Sequence, residues 1–147
     1  MYAAYDGLSD AIKQQIEGRT AVHGTEFFRR ELRLRGLPEE LFDEARKRFP
    51  LAEHPVVRTH PETGRRGLYV NRAFTEHIVG MERAESDALL EHLYIQAKAP
   101  EYQCRFRWRQ NSIAFWDNRA CQHYAVSDYW PQVRRVERVT VVGDKPY

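Results

Sequence analysis

The sequence has very little cysteine, Cys104 and Cys121 only, and the two are not spaced as a C-x-x-C pair. They give no disulfide framework and point to reduced thiols in a reducing compartment. No apolar run approaches the roughly 20 residues that span a bilayer, and the first residues lack the basic-then-apolar pattern of a secretion leader. A cytoplasmic location, with no membrane partner, is the resulting expectation. Charge of one sign is missing too: Lys plus Arg number 23 and Asp plus Glu 21, a formal +2. So weak a field gives no reason to expect nucleic acid or an anionic membrane as partner. Repeats, low-complexity tracts and linkers are also absent, so the 147 residues read as one domain.

What is present is ordinary globular composition, 42% hydrophobic and 30% charged, which suffices for a buried core. Between Met1 and about Glu17, Leu8, Ile12 and Ile16 recur at helical spacing, with Ser9 suited to cap a helix start and Gly18 to end one. Residues 19–23 suit a short strand. Two charged helical patterns follow, residues 25–35 and a second after Pro38, with Glu39 and Glu40 in its first turn and Phe42 and Ala45 on one side. Both are expected at the periphery. Pro55–Thr59 and Gly67–Asn71, joined through Pro61-Glu62-Thr63-Gly64, predict a β-hairpin, and Asn71 and Phe74 fall just past its end. Residues 86–97 predict a helix whose buried stripe is Leu89, Leu90, Leu93 and Ala97.

From Pro100 the pattern becomes that of strands. Tyr102, Cys104, Phe106 and Trp108 alternate with Gln103, Arg105 and Arg107, and further strands are expected at 113–117, 121–124 and 134–142. Basic and aromatic residues interleaved at 105–109 also suit a single-stranded nucleic-acid groove, but strand alternation sends the rings and the guanidinium groups to opposite faces. Short antiparallel strands with helices to one side predict an α+β fold with a jelly-roll, or double-stranded β-helix, core.

The stretch richest in chemistry is Trp116-Asp117-Asn118-Arg119-Ala120-Cys121-Gln122-His123-Tyr124-Ala125, followed by Asp128-Tyr129 and by Arg134 and Arg138. An imidazole such as His123 is a common metal ligand. Arginines four apart on a strand share a face and span roughly 13 Å, and their planar forks suit carboxylates and sulfonates. Plainer readings stand beside these. A lone histidine is more often structural, arginines on an edge strand guard against aggregation, and Phe74 and Trp116 are equally at home in a core. Cys121, which shares strand parity with His123, reads as packing.

The order of these motifs, with the ending Gly143-Asp144-Lys145-Pro146-Tyr147 and the upstream segments Thr20-Ala21-Val22-His23, His54-Pro55-Val56-Val57-Arg58-Thr59-His60-Pro61 and Val70-Asn71-Arg72-Ala73-Phe74-Thr75, resembles the C-terminal half of the taurine dioxygenase family. Members depend on iron(II) and 2-oxoglutarate, so the resemblance implies an enzyme with that metal and that co-substrate. It implies a jelly-roll core with flanking helices, incomplete on its N-terminal side, with residues 1–147 as the C-terminal part of a single domain. His123 would be the later metal-binding histidine. Arg134 would hold the distal carboxylate of 2-oxoglutarate, and Arg138 the near carboxylate together with the substrate's sulfonate. Phe74 and Trp116 would line the substrate pocket. The implied reaction hydroxylates a small sulfonate such as taurine, using dioxygen and releasing sulfite, succinate and carbon dioxide in sulfur metabolism. An alkyl sulfate ester or an aryloxy acid is the alternative substrate, and a non-catalytic binding module the alternative class.

One departure stands out: no His-x-Asp occurs anywhere, although the family takes its first histidine and its carboxylate from that motif. Only His60-Pro61-Glu62 has a carboxylate at that spacing, and it lies in the predicted hairpin turn. A half-domain would expose strand edges and apolar surface, so association into homo-oligomers is expected.

Overall fold

The computed structural model describes every residue except Glu39 and, inside one helix, the side chains of Leu41, Phe42, Glu44 and Ala45. The expectations for Glu39, Phe42 and Ala45 therefore lie outside the described residues. The first expected helix is two: α1 (Tyr2–Asp6) and α2 (Asp10–Ile16). Gly7 closes α1, and Ser9, in an extended conformation, starts α2 by accepting a hydrogen bond from the Ile12 amide at 3.4 Å. Leu8, in the break, is buried, so the corner itself plugs the core.

Strand β1 (Thr20–His23) follows, with Ala21 and His23 turned inward. It is the middle of a three-stranded antiparallel sheet, flanked by β2 (Ala52–Pro55) and β5 (Thr75–Ile78), in register Thr20↔Pro55 and Ala21↔Ile78. These two flanking strands went unread in the sequence. Pro55 is tolerated because β2 is an edge, where no ladder needs the missing N–H. The expected hairpin is present as β3 (Val57–Thr59) and β4 (Arg66–Leu68), pairing Val57 with Leu68 and Thr59 with Arg66. Its turn closes where the Gly64 amide donates to the His60 carbonyl at 2.9 Å, with Gly64 in the left-handed region at φ +67°.

Helices α3 (Glu26–Leu34) and α4 (Glu40–Arg48) lie between β1 and β2, and α3 buries none of its residues, as its charge pattern requires. Helix α5 (Arg83–Ala97) buries Leu89, Leu90 and Leu93 as expected, and Ala97 packs at the rim. It is tied to the sheet where the Ile78 amide donates to the Ser86 hydroxyl at 2.8 Å, a bond with both partners fully buried. One hydrophobic cluster, running from Ala4 to Tyr94, gathers α1, α2, both sheets and α5 around Ile16, Ala21, Val56, Ile78 and Leu93.

The architecture is α+β, but the last third departs from expectation. After a single 3-10 turn (Pro100–Tyr102), residues 103–147 form no strand among the described residues. The strands expected at 102–108, 113–117, 121–124 and 134–142 are thus corrected to irregular chain, and the described residues build no jelly-roll core. Alternation makes a segment fit a sheet, but a strand exists only when a neighbour accepts and donates its backbone hydrogen bonds. Here the apolar positions of the pattern face solvent, with Phe115 and Val133 each 95% exposed.

Candidate functional site: the Trp116–His123 turn

Within the exposed segment, residues 116–123 are the part most firmly fixed. Asp117 organises a tight turn. Its carbonyl accepts from the amides of Ala120 (3.1 Å) and Cys121 (3.0 Å), and its Oδ1 accepts from the Arg119 amide at 2.8 Å. Arg119 folds back so that Nη2 donates to Asp117 Oδ2 at 2.8 Å while Nη1 reaches Glu62 at 2.9 Å. These charge-assisted bonds, Arg119 first and His60 second, hold the Asp117 carboxyl well below the usual carboxylate range. The turn folds Trp116 onto His123, ring centroids 4.8 Å apart, with the indole N–H donating to Asn118 Oδ1 at 2.9 Å. Gln122 Nε2 then donates to the Val70 carbonyl at 2.7 Å, which pins the chain beside His123 to the end of the hairpin.

Of the residues expected to share a site, Trp116 and His123 are brought together. Arg134 lays its guanidinium over the Tyr129 ring at 6.0 Å, and Arg138 is exposed. Phe74, 47% exposed, packs on Phe28 of α3 with centroids 5.4 Å apart. No hydrogen bond, ion pair or ring contact joins Arg134, Arg138 or Phe74 to His123 among the described residues. Nor do the described residues contain any group of three His, Cys, Asp or Glu side chains placed to hold a metal ion. His60-Pro61-Glu62 is no substitute. His60 Nδ1 accepts from the amides of Glu62 and Thr63, both at 3.3 Å, and its Nε2 lies 3.0 Å from Asp117 Oδ2, so both ring nitrogens are engaged. Cys104 and Cys121 are free, exposed thiols.

A second polar group supports Phe74. Asn71 Oδ1 accepts from the amides of Ala73 (3.1 Å) and Phe74 (2.9 Å), and the Asn71 amide donates to Thr75 Oγ1 at 2.9 Å. Thr75 Oγ1 is also 3.3 Å from Nε2 of His23, whose pKa is pushed down to about 4, by burial first and by neighbouring His54 second. His54 is likewise lowered, by burial, Lys145 and Arg58. Arg58, 4% exposed, stacks over Tyr69 at 5.3 Å and lies 3.8 Å from Asp144.

Sequence reading missed the roles of His60, Asp117, Glu62 and Arg119. Asp117 and Arg119 stood inside the quoted motif and His60 at a hairpin turn, but nothing in one sequence says that positions 60 and 117 meet.

Comparison with known proteins defines the class. The chain is 38% identical over 148 residues to the alpha-ketoglutarate-dependent sulfate ester dioxygenase of Pseudomonas putida, covering 98% of this chain and 48% of that protein. Among solved structures, a taurine dioxygenase from Burkholderia xenovorans superimposes with a TM-score of 0.64 at 39% identity, covering 81% of this chain and 35% of that one. A third match, AAD-2 in complex with Mn(II) and N-oxalylglycine, has a TM-score of 0.62 at 31% identity over 74% of this chain and 41% of that one. The chain belongs to the family described as taurine catabolism dioxygenase TauD, TfdA family, which matches residues 1–140. It spans 36–48% of the length of the first curated relatives it matches. No helix among the described residues is long and apolar enough to cross a membrane.

Proposed function

We propose that the protein to which these residues belong is an iron(II)- and 2-oxoglutarate-dependent dioxygenase that hydroxylates a small sulfonate, such as taurine, and releases sulfite, succinate and carbon dioxide. The observation that carries this reading is the pinned Trp116–His123 pair inside a family match covering residues 1–140. In this reading His123 supplies one metal ligand, Arg134 takes the distal carboxylate of 2-oxoglutarate, and Arg138 takes its near carboxylate and the sulfonate. Phe74 and Trp116 shape the substrate pocket. Residues 103–147 belong to a double-stranded β-helix in a domain of the relatives' length, working in a reducing cytoplasm.

The described residues do not by themselves fit the metal, because a single imidazole leaves most of its coordination to other groups. A sulfate ester is the second reading, favoured by the Pseudomonas putida relative, since the same guanidinium fork serves sulfonate, sulfate and aryloxy carboxylate. The lack of a three-ligand cluster among the described residues favours a third, a non-catalytic module that binds small anions. Anaerobic titration of the 147-residue chain with iron(II) and 2-oxoglutarate, read by visible absorption and calorimetry, separates the oxygenase readings from the module. Binding that disappears in His123→Ala supports the oxygenase. Absence of binding refutes it for these residues, and binding of 2-oxoglutarate without metal, read by calorimetry because it gives no chelate band, supports the module.

A further inference from the structure

We infer that His60 is a positioning residue that acts through Asp117 to hold the Trp116–His123 pair in place. The inference rests on the reading above only for its functional meaning, because the pairing itself is measurable without metal or co-substrate.

His60 sits at the mouth of the β3–β4 turn and is 5% exposed. Two backbone amides, those of Glu62 and Thr63, point at its Nδ1. A nitrogen that accepts carries no proton, so the ring hydrogen is on Nε2, the atom facing Asp117 Oδ2 at 3.0 Å. The hairpin thereby fixes the tautomer, and the imidazole presents one directed N–H to the exposed segment. Its backbone is fixed as well, the His60 amide donating to the Arg65 carbonyl at 2.8 Å. The Tyr2 ring packs against it at an interplanar angle of 72°, ring centroids 6.1 Å apart.

Asp117 passes this fixed point on. Its two carboxylate oxygens are shared between His60, the Arg119 side chain and the Arg119 amide, while its carbonyl holds the Ala120 and Cys121 amides. Every one of these bonds constrains the short arc between Trp116 and His123, and among the described residues only the one to His60 ties that carboxylate to a buried side chain. The Glu62 end of the Arg119 bridge is exposed, at 72% of its side-chain area. Without His60 the turn keeps its internal bonds and its ties through Arg119 to Glu62, through the Ala120 carbonyl to the Met1 ammonium and through Gln122 to Val70, but the Asp117 carboxylate, on which the Trp116 side of the arc turns, loses its fixed partner.

The test uses side-chain NMR of the intact chain, in which the Trp116 indole displaces the His123 ring-proton resonances by ring current; Trp116→Phe assigns the effect. His60→Gln keeps an N–H at the Nε2 position and should retain the displacement, whereas His60→Ala should lose it. Both variants remove the Nδ1 acceptor from the Glu62 and Thr63 amides, so both should melt earlier by similar amounts. A purely structural role predicts that melting and displacement change together. The inference is overturned if His60→Ala leaves the displacement unchanged, or if His60→Gln loses it as completely as His60→Ala. Should His60→Ala fail to fold, Asp117→Ala removes the same link from the exposed side, and a retained displacement there also overturns it. A chain that binds no iron(II) yet shows this pattern keeps the positioning role and loses the oxygenase reading.

Discussion

Acid should destabilise this fold through His23 well above the range in which its carboxylates protonate. The folded pKa of His23, about 4, lies below the ordinary 6.5, so the unfolded chain binds the proton first. The contribution of the neutral ring is fully present above pH 6.5 and is lost as the pH falls toward 4. Between pH 7 and 5 the two values correspond to about 2 kcal/mol of lost stability, or a Tm lower by roughly 6 °C for a domain of this size. His54, shifted in the same direction, adds to the slope. Asp117, whose pKa is lowered, loses its contribution as the pH falls through the ordinary carboxylate range and below, beneath this window. Thermal melts at half-unit pH steps, in wild type and His23→Gln, isolate the term: the variant should lose about 2 kcal/mol less between pH 7 and 5. The neutral His23 faces Thr75 Oγ1, which in turn holds Asn71, so in the folded chain the Asn71 and Phe74 amide resonances should stay fixed from pH 7 to 5 and shift only as the pH passes through about 4. A wild-type curve flat from pH 7 to 5, or an equally steep one in His23→Gln, refutes the argument.

Three further outcomes follow from the packing and the site. Leu93→Ala empties a fully buried position on α5 and should cost about 3 kcal/mol in denaturant melts; a loss under about 1 kcal/mol would mean that α5 does not pack on the sheet as described. His123→Ala should abolish any iron(II)-dependent absorption with 2-oxoglutarate while leaving folding stability within about 0.5 kcal/mol of wild type, because His123 is exposed. The solvent-facing Ile113, Phe115, Val133, Val139 and Val142 should drive self-association of the isolated chain, read by light scattering across a dilution series, and a monodisperse monomer at high concentration would refute this.

The body of the fold was legible where a pattern completes itself locally. Leu89, Leu90 and Leu93 declare one helix face, Ser9 declares a cap, and Pro61 to Gly64 a turn, each within a few residues. Strands β2 and β5 were not legible, since Ala52–Pro55 and Thr75–Ile78 are short, carry charged or imidazole side chains and become strands only because β1 lies between them. The opposite error befell residues 134–142, whose alternation is clear but whose ladder needs a neighbour that the pattern cannot supply. At the site, the motif pointed to Trp116 and His123 and the structure pairs them. The His60–Asp117 link was invisible because contacts between distant positions leave no periodic trace in a single sequence.

The way the last third is fastened has a consequence for how slowly different amides exchange their hydrogens with solvent. Residues 103–147 meet the rest of the molecule through polar bonds at spaced points, among them Asp117 to His60, Arg119 to Glu62, the Met1 ammonium to the Ala120 carbonyl, Gln122 to Val70, Asp144 toward Arg58, and the Thr59 amide to the Tyr147 carbonyl. Opening any one of them exposes no core, so these amides exchange through small, local excursions, whereas those of β1 and α5 wait for the whole cluster around Leu93 to come apart. The segment bearing His123, Arg134 and Arg138 therefore opens at lower cost than the core that carries it. Substitutions at its exposed positions away from those ties leave the fold's stability almost untouched, and there chemistry and foldability can vary independently along this one chain.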